Sequence, residues 1–188
     1  MIVVNLWGAP SSGKSTTASG LFFLMKINKF RVELVHEFAK ELVLEQRENV
    51  FSDQNFIFAE QNRRIHRLER HHYDFAITDS PLLLPLYYDA KKSGTEFEQM
   101  AISQFHKYNN INYFLKRTHT FEPIGRRHNE RQSVQIELEM RDWLNELGVE
   151  FTEIVASPQS PELILNDLRS RFPQPVTMPF SLDDDRLK

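Results

Sequence analysis

Residues 2–16 read Ile-Val-Val-Asn-Leu-Trp-Gly-Ala-Pro-Ser-Ser-Gly-Lys-Ser-Thr. Ile2–Trp7 is a short, mainly apolar run rich in β-branched side chains, the pattern of a strand buried on both faces of a parallel sheet. Residues 8–15 then match G-x-x-x-x-G-K-[ST] in full. Gly8 and Gly13 let the backbone fold into a nest whose amide N–H groups point at phosphate oxygens. A helix predicted over Lys14–Ile27 offers the positive end of its dipole to the same anion. Lys14 supplies a point charge toward the β- and γ-phosphates, and the Ser15 hydroxyl suits Mg²⁺. Ala9, Pro10, Ser11, Ser12 and Thr16 complete the predicted ATP-phosphate loop.

Working outward, strands are predicted at residues 31–35, Phe75–Thr78, 112–115 and 149–155. Helices are predicted at 37–48, 53–72 with Ser52 as N-cap, 97–108, 132–147 ending at Gly148, and 161–171. Strands alternating with helices imply an α/β, three-layer fold: a five-stranded parallel sheet flanked by helices. Residues 1–172 read as one domain. Residues 173–188, with three prolines and an Asp-Asp-Asp run, read as a surface arm or disordered end.

The bulk composition narrows the function. No apolar run approaches the roughly 18 residues of a membrane span, and Met1 leads straight into the first strand without a basic leader. The chain has no cysteine, so disulfides, zinc fingers and thiol chemistry are excluded and a cytoplasmic setting fits. A net charge of −3 gives no global attraction to nucleic acid, so any DNA contact needs a local basic patch. Residues 61–72 (QNRRIHRLERHH) are such a stretch. They read either as a solvated helix face or as a grip, through Gln61 or Arg64, on an anionic acceptor.

Two acids follow predicted strands, at the end of an open α/β sheet where ligands collect. Asp79 follows Phe-Ala-Ile-Thr and suits either Mg²⁺, held through water, or the proton of an attacking hydroxyl. Glu37 follows Arg-Val-Glu-Leu-Val and suits a general base or a substrate-binding carboxylate, or else simply complements a helix dipole. Residues 118–131 (THTFEPIGRRHNER) lie where kinases of this architecture carry a lid. Arg126 there is a candidate phosphate binder, and Arg127 and Arg131 are candidates to neutralise the transferring phosphoryl group. Phe56, Tyr87 and Tyr88 read as core or as stacking partners for a base.

The runs VNLWGAPSSGKSTTASGLF, VELVHEFAKELV and AITDSPLLLPLYY resemble phage P-loop kinases of the thymidylate-kinase-like group, most of all the 5-hydroxymethyluracil DNA kinases. The resemblance covers residues 1 to about 170, GRRHNER included. A more distant resemblance is to ribosylnicotinamide kinase, with a similar loop and an acid after the second strand. These resemblances imply ATP bound by residues 8–16, Asp79 as the acid, and a nucleotide-type acceptor or modified DNA, with a homodimer allowed. The expectation is an ATP- and Mg²⁺-dependent phosphotransferase whose catalytic set is Lys14, Asp79, Glu37, Arg127 and Arg131. A small-molecule kinase for ribosylnicotinamide or a nucleoside monophosphate, or an ATPase switch, stands as the alternative.

Overall fold

The computed structural model describes residues 1–47, 49–50, 53–89, 93–118, 120–122 and 129–173. In chain order the elements are β1 Ile2–Trp7, α1 Lys14–Ile27, β2 Val32–Val35, α2 Phe38–Leu44, α3 Gln54–Glu69, β3 Phe75–Thr78 and α4 Leu84–Asp89. They continue with α5 Gly94–Phe105, β4 Asn109–Lys116, α6 Glu130–Glu146, β5 Thr152–Val155 and α7 Ser160–Arg171. The five strands form one sheet in the order β2-β3-β1-β4-β5, with every pairing parallel. The predicted three-layer α/β architecture is therefore observed.

Alternation along β1 divides the core. Val4 and Leu6 face α1 and α7, where they meet Ala18, Leu21, Met25, Ile164, Leu165 and Leu168. Val3 and Trp7 face the other layer, packing with Phe58 and Ile65 of α3, Phe97 of α5, and Met140 and Leu144 of α6. Both faces of the sheet are covered, as a parallel sheet requires. No helix among the described residues is long and apolar enough to cross a membrane.

Several boundaries differ from expectation for local reasons. β4 begins at Asn109 rather than 112. Asparagine is a poor strand former, but Asn110 has its own use: its Nδ2 donates to the Phe105 and Tyr108 carbonyls, at 2.6 and 3.1 Å, closing the end of α5. The helix expected to reach 48 stops at Leu44. Gln46 takes a left-handed φ of 57°, the Arg47 amide reaches Leu42 O and the Gln46 amide reaches Val43 O. That is a Schellman ending built without glycine. Helix α4 was not expected, because Pro81 and Pro85 bracket its start; proline is tolerated in a first turn, where the N–H has no helical partner. Asp53, not Ser52, caps α3, accepting from the Phe56 amide at 3.0 Å. Ser52 and the predicted tail from 174 onward lie outside the described residues.

Two of the four arginines in the basic stretch on α3, Arg63 and Arg64, are paired within the fold. Arg64 makes a bidentate pair with Glu41 of α2, at 2.7 and 2.6 Å, and a third bond to Glu60 at 3.0 Å. Arg63 binds both oxygens of Glu60 at 2.7 Å. Hydrogen bonds from Arg63 and then Arg64 outweigh burial and pull the Glu60 carboxyl from 4.5 to about 2. A carboxyl held low in the folded state stabilises the fold above its unfolded value, and that stability is lost as pH falls through the folded value. Glu60→Gln should therefore lower the unfolding free energy by about 1 kcal/mol at pH 7, given solvent screening. Urea titrations should show the gap between the two proteins closing between pH 4.5 and 2. A gap that stays constant over that range would remove this ion pair from the stability of the fold.

Candidate active site

The loop after β1 needs backbone that most residues avoid. Gly8 has φ 141°, Ser11 φ 63° and Gly13 φ 88°. At Gly8 a Cβ would lie 2.6 Å from Ser12 Oγ and 2.8 Å from the Leu115 carbonyl oxygen, so only glycine fits between β4 and the loop. The Ser12 amide bonds to Ala9 O at 3.1 Å, which tightens the turn. Gly13 is the N-cap of α1, and no side chain caps that end. The first-turn amides of α1 thus lack both intrahelical acceptors and a capping side chain, the arrangement that binds anions. Lys14 Nζ donates to the Gly8 and Ala9 carbonyls, at 2.7 and 3.0 Å, and so stays over its own loop. Ser15 is half-buried beside it and Thr16 is exposed.

Strand register brings the two acids to the same edge. Thr78 pairs with Asn5 of β1 and with Val35 of β2. Asp79 therefore leaves the sheet beside β1, two residues before Gly8 in that register, with Glu37 two residues beyond Val35. Asp79 is 4% exposed, and its Oδ1 has no hydrogen-bond partner among the described residues. Ser12 Oγ is buried in the same condition. A buried, unpartnered carboxylate oxygen calls for a cation or a hydrogen-bond donor. Glu37 occupies the N-cap position of α2 without a side-chain capping bond, so its helix makes no use of its carboxylate as a cap. No cluster of three or more acidic, His or Cys groups appears among the described residues.

The far side of the loop is held by residues the sequence did not single out. Ser133 of α6, fully buried, donates to Pro10 O at 2.7 Å, and the Glu122 amide donates to Ser11 Oγ at 2.9 Å. Arg131 is exposed in the first turn of α6, two residues before Ser133. A capping box of Asn129 and Gln132 starts that helix. Arg117, just after β4, pairs with Glu130 at 3.0 Å and lies over the Phe121 ring at 5.6 Å. The Thr118 hydroxyl bonds to Ala156 O at 2.9 Å, tying this segment to the end of β5. Arg126 and Arg127 lie outside the described residues.

The structure places the other candidates. Gln61 does not grip an acceptor: it is 1% exposed and bonded at both ends of its amide. Arg64 is tied to Glu41 and Glu60. Tyr87 is packed against Trp143 at 5.3 Å, and burial, with Glu139 nearby, pushes its hydroxyl up to about 12. Phe56 is 42% exposed and meets Phe38 edge-on at 5.5 Å, next to Glu37.

The Gly8 geometry yields a direct test. Gly8→Ala should weaken ATP binding by at least about 100-fold in calorimetry, because the loop must shift to admit the new methyl group. The fold should survive, with a lower melting temperature. Unchanged affinity would show that the loop does not form the phosphate cradle.

A comparison with proteins of curated function finds no sequence match. Among solved structures, the fold is similar to deoxyadenosine kinase from M. mycoides with dCMP and a flexible dCDP bound. The TM-score is 0.57 at 15% identity, over 89% of this chain and 99% of that one. The same kinase with dATP bound gives 0.54 at 12%, over 90% and 100%. Shikimate kinase from Acinetobacter baumannii, in complex with shikimate, gives 0.52 at 15%, over 93% and 95%. At such identities the likeness is one of fold. With the phosphate loop at the end of the central strand and a family match spanning residues 3–160, the chain belongs to the AAA domain family.

Proposed function

We propose that the protein is an ATP-dependent phosphotransferase that moves the γ-phosphoryl group of ATP to a hydroxyl of a nucleoside- or nucleotide-type acceptor. The observation that carries the reading is the pairing of an uncapped phosphate loop with a buried, unpartnered Asp79 oxygen one strand away. The likeness to two kinase folds supports it.

In this reading the loop amides and Lys14 hold the β- and γ-phosphates. Ser15 and Asp79 are the residues that would hold Mg²⁺, which neutralises phosphate charge when bound. The acceptor oxygen attacks the γ-phosphorus as the bond to the β-bridging oxygen breaks, and that electron pair leaves on ADP. The acceptor proton passes to Glu37 or Asp79, the two carboxylates at that end of the sheet. Much of the rate comes from positioning and charge stabilisation. Arg131 stands at the mouth of α6 to meet phosphoryl charge, and Arg126 and Arg127 are assigned the same task. Arg117, paired with Glu130 and stacked over Phe121, offers a planar surface suited to the donor base.

The Phe38–Phe56 pair beside Glu37 favours an acceptor with a planar ring. Arg63 and Arg64 are spent on internal carboxylates, so α3 gives duplex DNA less charge than its sequence suggests. 5-Hydroxymethyluracil therefore belongs in the trial both as the free deoxynucleoside and within DNA.

The test is transfer from γ-labelled ATP to thymidine, deoxyadenosine, deoxynucleoside monophosphates, nicotinamide riboside, shikimate, free 5-hydroxymethyldeoxyuridine and DNA containing it. Label should enter a nucleoside-type acceptor. Lys14→Ala and Asp79→Asn should each lower the rate at least about 100-fold with unchanged circular dichroism. Label found only in free phosphate would favour a hydrolytic switch, and full activity of Lys14→Ala would end the mechanism.

A further inference from the structure

We infer that Gln61 is a positioning residue that locks the end of β2 carrying Glu37 to the end of β3 carrying Asp79. The inference rests on the reading of those two acids as the acceptor end of the site. Gln61 comes from the middle of α3, 1% exposed, and Thr78 is 0% exposed. Gln61 Oε1 accepts from the Phe38 amide at 3.2 Å, and Gln61 Nε2 donates to Thr78 Oγ1 at 3.3 Å. The orientation of the amide is not arbitrary. A backbone N–H can only donate, so the oxygen must face Phe38 and the NH₂ must face Thr78.

Each end of this bridge lies one residue from an acid. Phe38 follows Glu37, and its amide is one of the orphan donors at the start of α2, which no side chain of its own helix satisfies. Thr78 precedes Asp79. Its hydroxyl also accepts from the Ser80 amide at 3.1 Å and donates to the Ser80 carbonyl at 3.0 Å, closing the turn that contains Asp79. One buried carboxamide therefore spans two adjacent strand ends, 40 residues apart in sequence, through obligatory hydrogen bonds. In a site where catalysis is positioning, a displacement of about 1 Å costs up to about 100-fold in rate. A strut with both ends satisfied and no access to water is the means of preventing one.

Crosstalk between the two strand ends tests the bridge. Thr78→Val is nearly isosteric but removes the hydroxyl. It should speed hydrogen exchange of the Phe38 amide by at least about tenfold, although Phe38 does not touch the substituted hydroxyl. Gln61→Leu should do the same at both Phe38 and Ser80. Thr78→Ser, which restores the hydroxyl, should recover protection relative to Thr78→Val. With an acceptor found by the label screen, kcat should fall about tenfold in Thr78→Val and Gln61→Leu while KM for ATP stays, and the double variant should cost little more than either. Exchange confined to residues 78–80 in Thr78→Val would overturn the bridge, even if Gln61→Leu failed to fold. Faster exchange with unchanged kcat would overturn the positioning role. If no acceptor takes label, the phosphotransfer reading fails and the catalytic consequence with it, whereas the exchange data still decide the bridge.

Discussion

A polyanion can be held at the end of a strand only if successive backbone amides converge, and an L-peptide resists that geometry. Here three of six residues after Trp7 carry positive φ: Gly8, Ser11 and Gly13. Two are glycines. The third, Ser11, is braced because its hydroxyl accepts from the Glu122 amide. Ser133 holds Pro10 by its carbonyl, and the Lys14 ammonium bridges the Gly8 and Ala9 carbonyls. Strain of this kind persists only where the surroundings over-determine it. Apart from Lys14, the groups that do so come from α6 and from the segment after β4, more than a hundred residues away.

The rest of the fold presents this loop. β1 lies between β3 and β4, and the connections leave it in opposite directions, to β2 on one side and from β3 to β4 across it. Such a reversal opens a crevice at the carboxyl ends of the strands. The loop after β1 fills one wall and the turn at Asp79 the other. Buried polar contacts keep the strands in register beneath it. Trp7 Nε1 donates to Asn112 Oδ1 at 3.1 Å, and Asn5 Nδ2 donates to Asn110 Oδ1 at 2.9 Å. Asparagines in a central strand cost β propensity, and here they tie β1 to β4 just below the loop.

What the sequence made legible and what it hid follow from the range of the interactions involved. The loop at 8–15, β1 and α1 were readable to the residue, because local spacing encodes a local shape. Asp79 and Glu37 were readable as acids at strand ends, since apolar runs announce strands. The ending of α2 and the starts of α3 and β4 were not. Gln46 adopts a left-handed conformation without being glycine, Asp53 competes with Ser52 as cap, and Asn110 serves as cap and strand residue together. Least visible were Gln61, Thr78 and Ser133. Each acts through contacts to residues at least 17 positions away, and a polar residue in an amphipathic helix looks the same whether it faces water or a neighbouring strand.

The same distinction bears on charge. Counted along the chain, the arginines of α3 make a basic face suited to phosphate. In the fold, Glu41 and Glu60 consume Arg63 and Arg64, and Arg64 also lies over the Phe38 ring at 4.9 Å. A guanidinium compensated by two carboxylates stiffens the α2–α3 corner more than it attracts an anion. In the proposed reading the charge for phosphate comes from Lys14 and Arg131, whereas the α2–α3 corner, with Arg63 and Arg64 compensated, presents the Phe38 and Phe56 rings. An acceptor entering from that side would, in the same reading, meet shape and stacking first, with discrimination among acceptors assigned to Phe38 and Phe56 and catalytic charge to the loop.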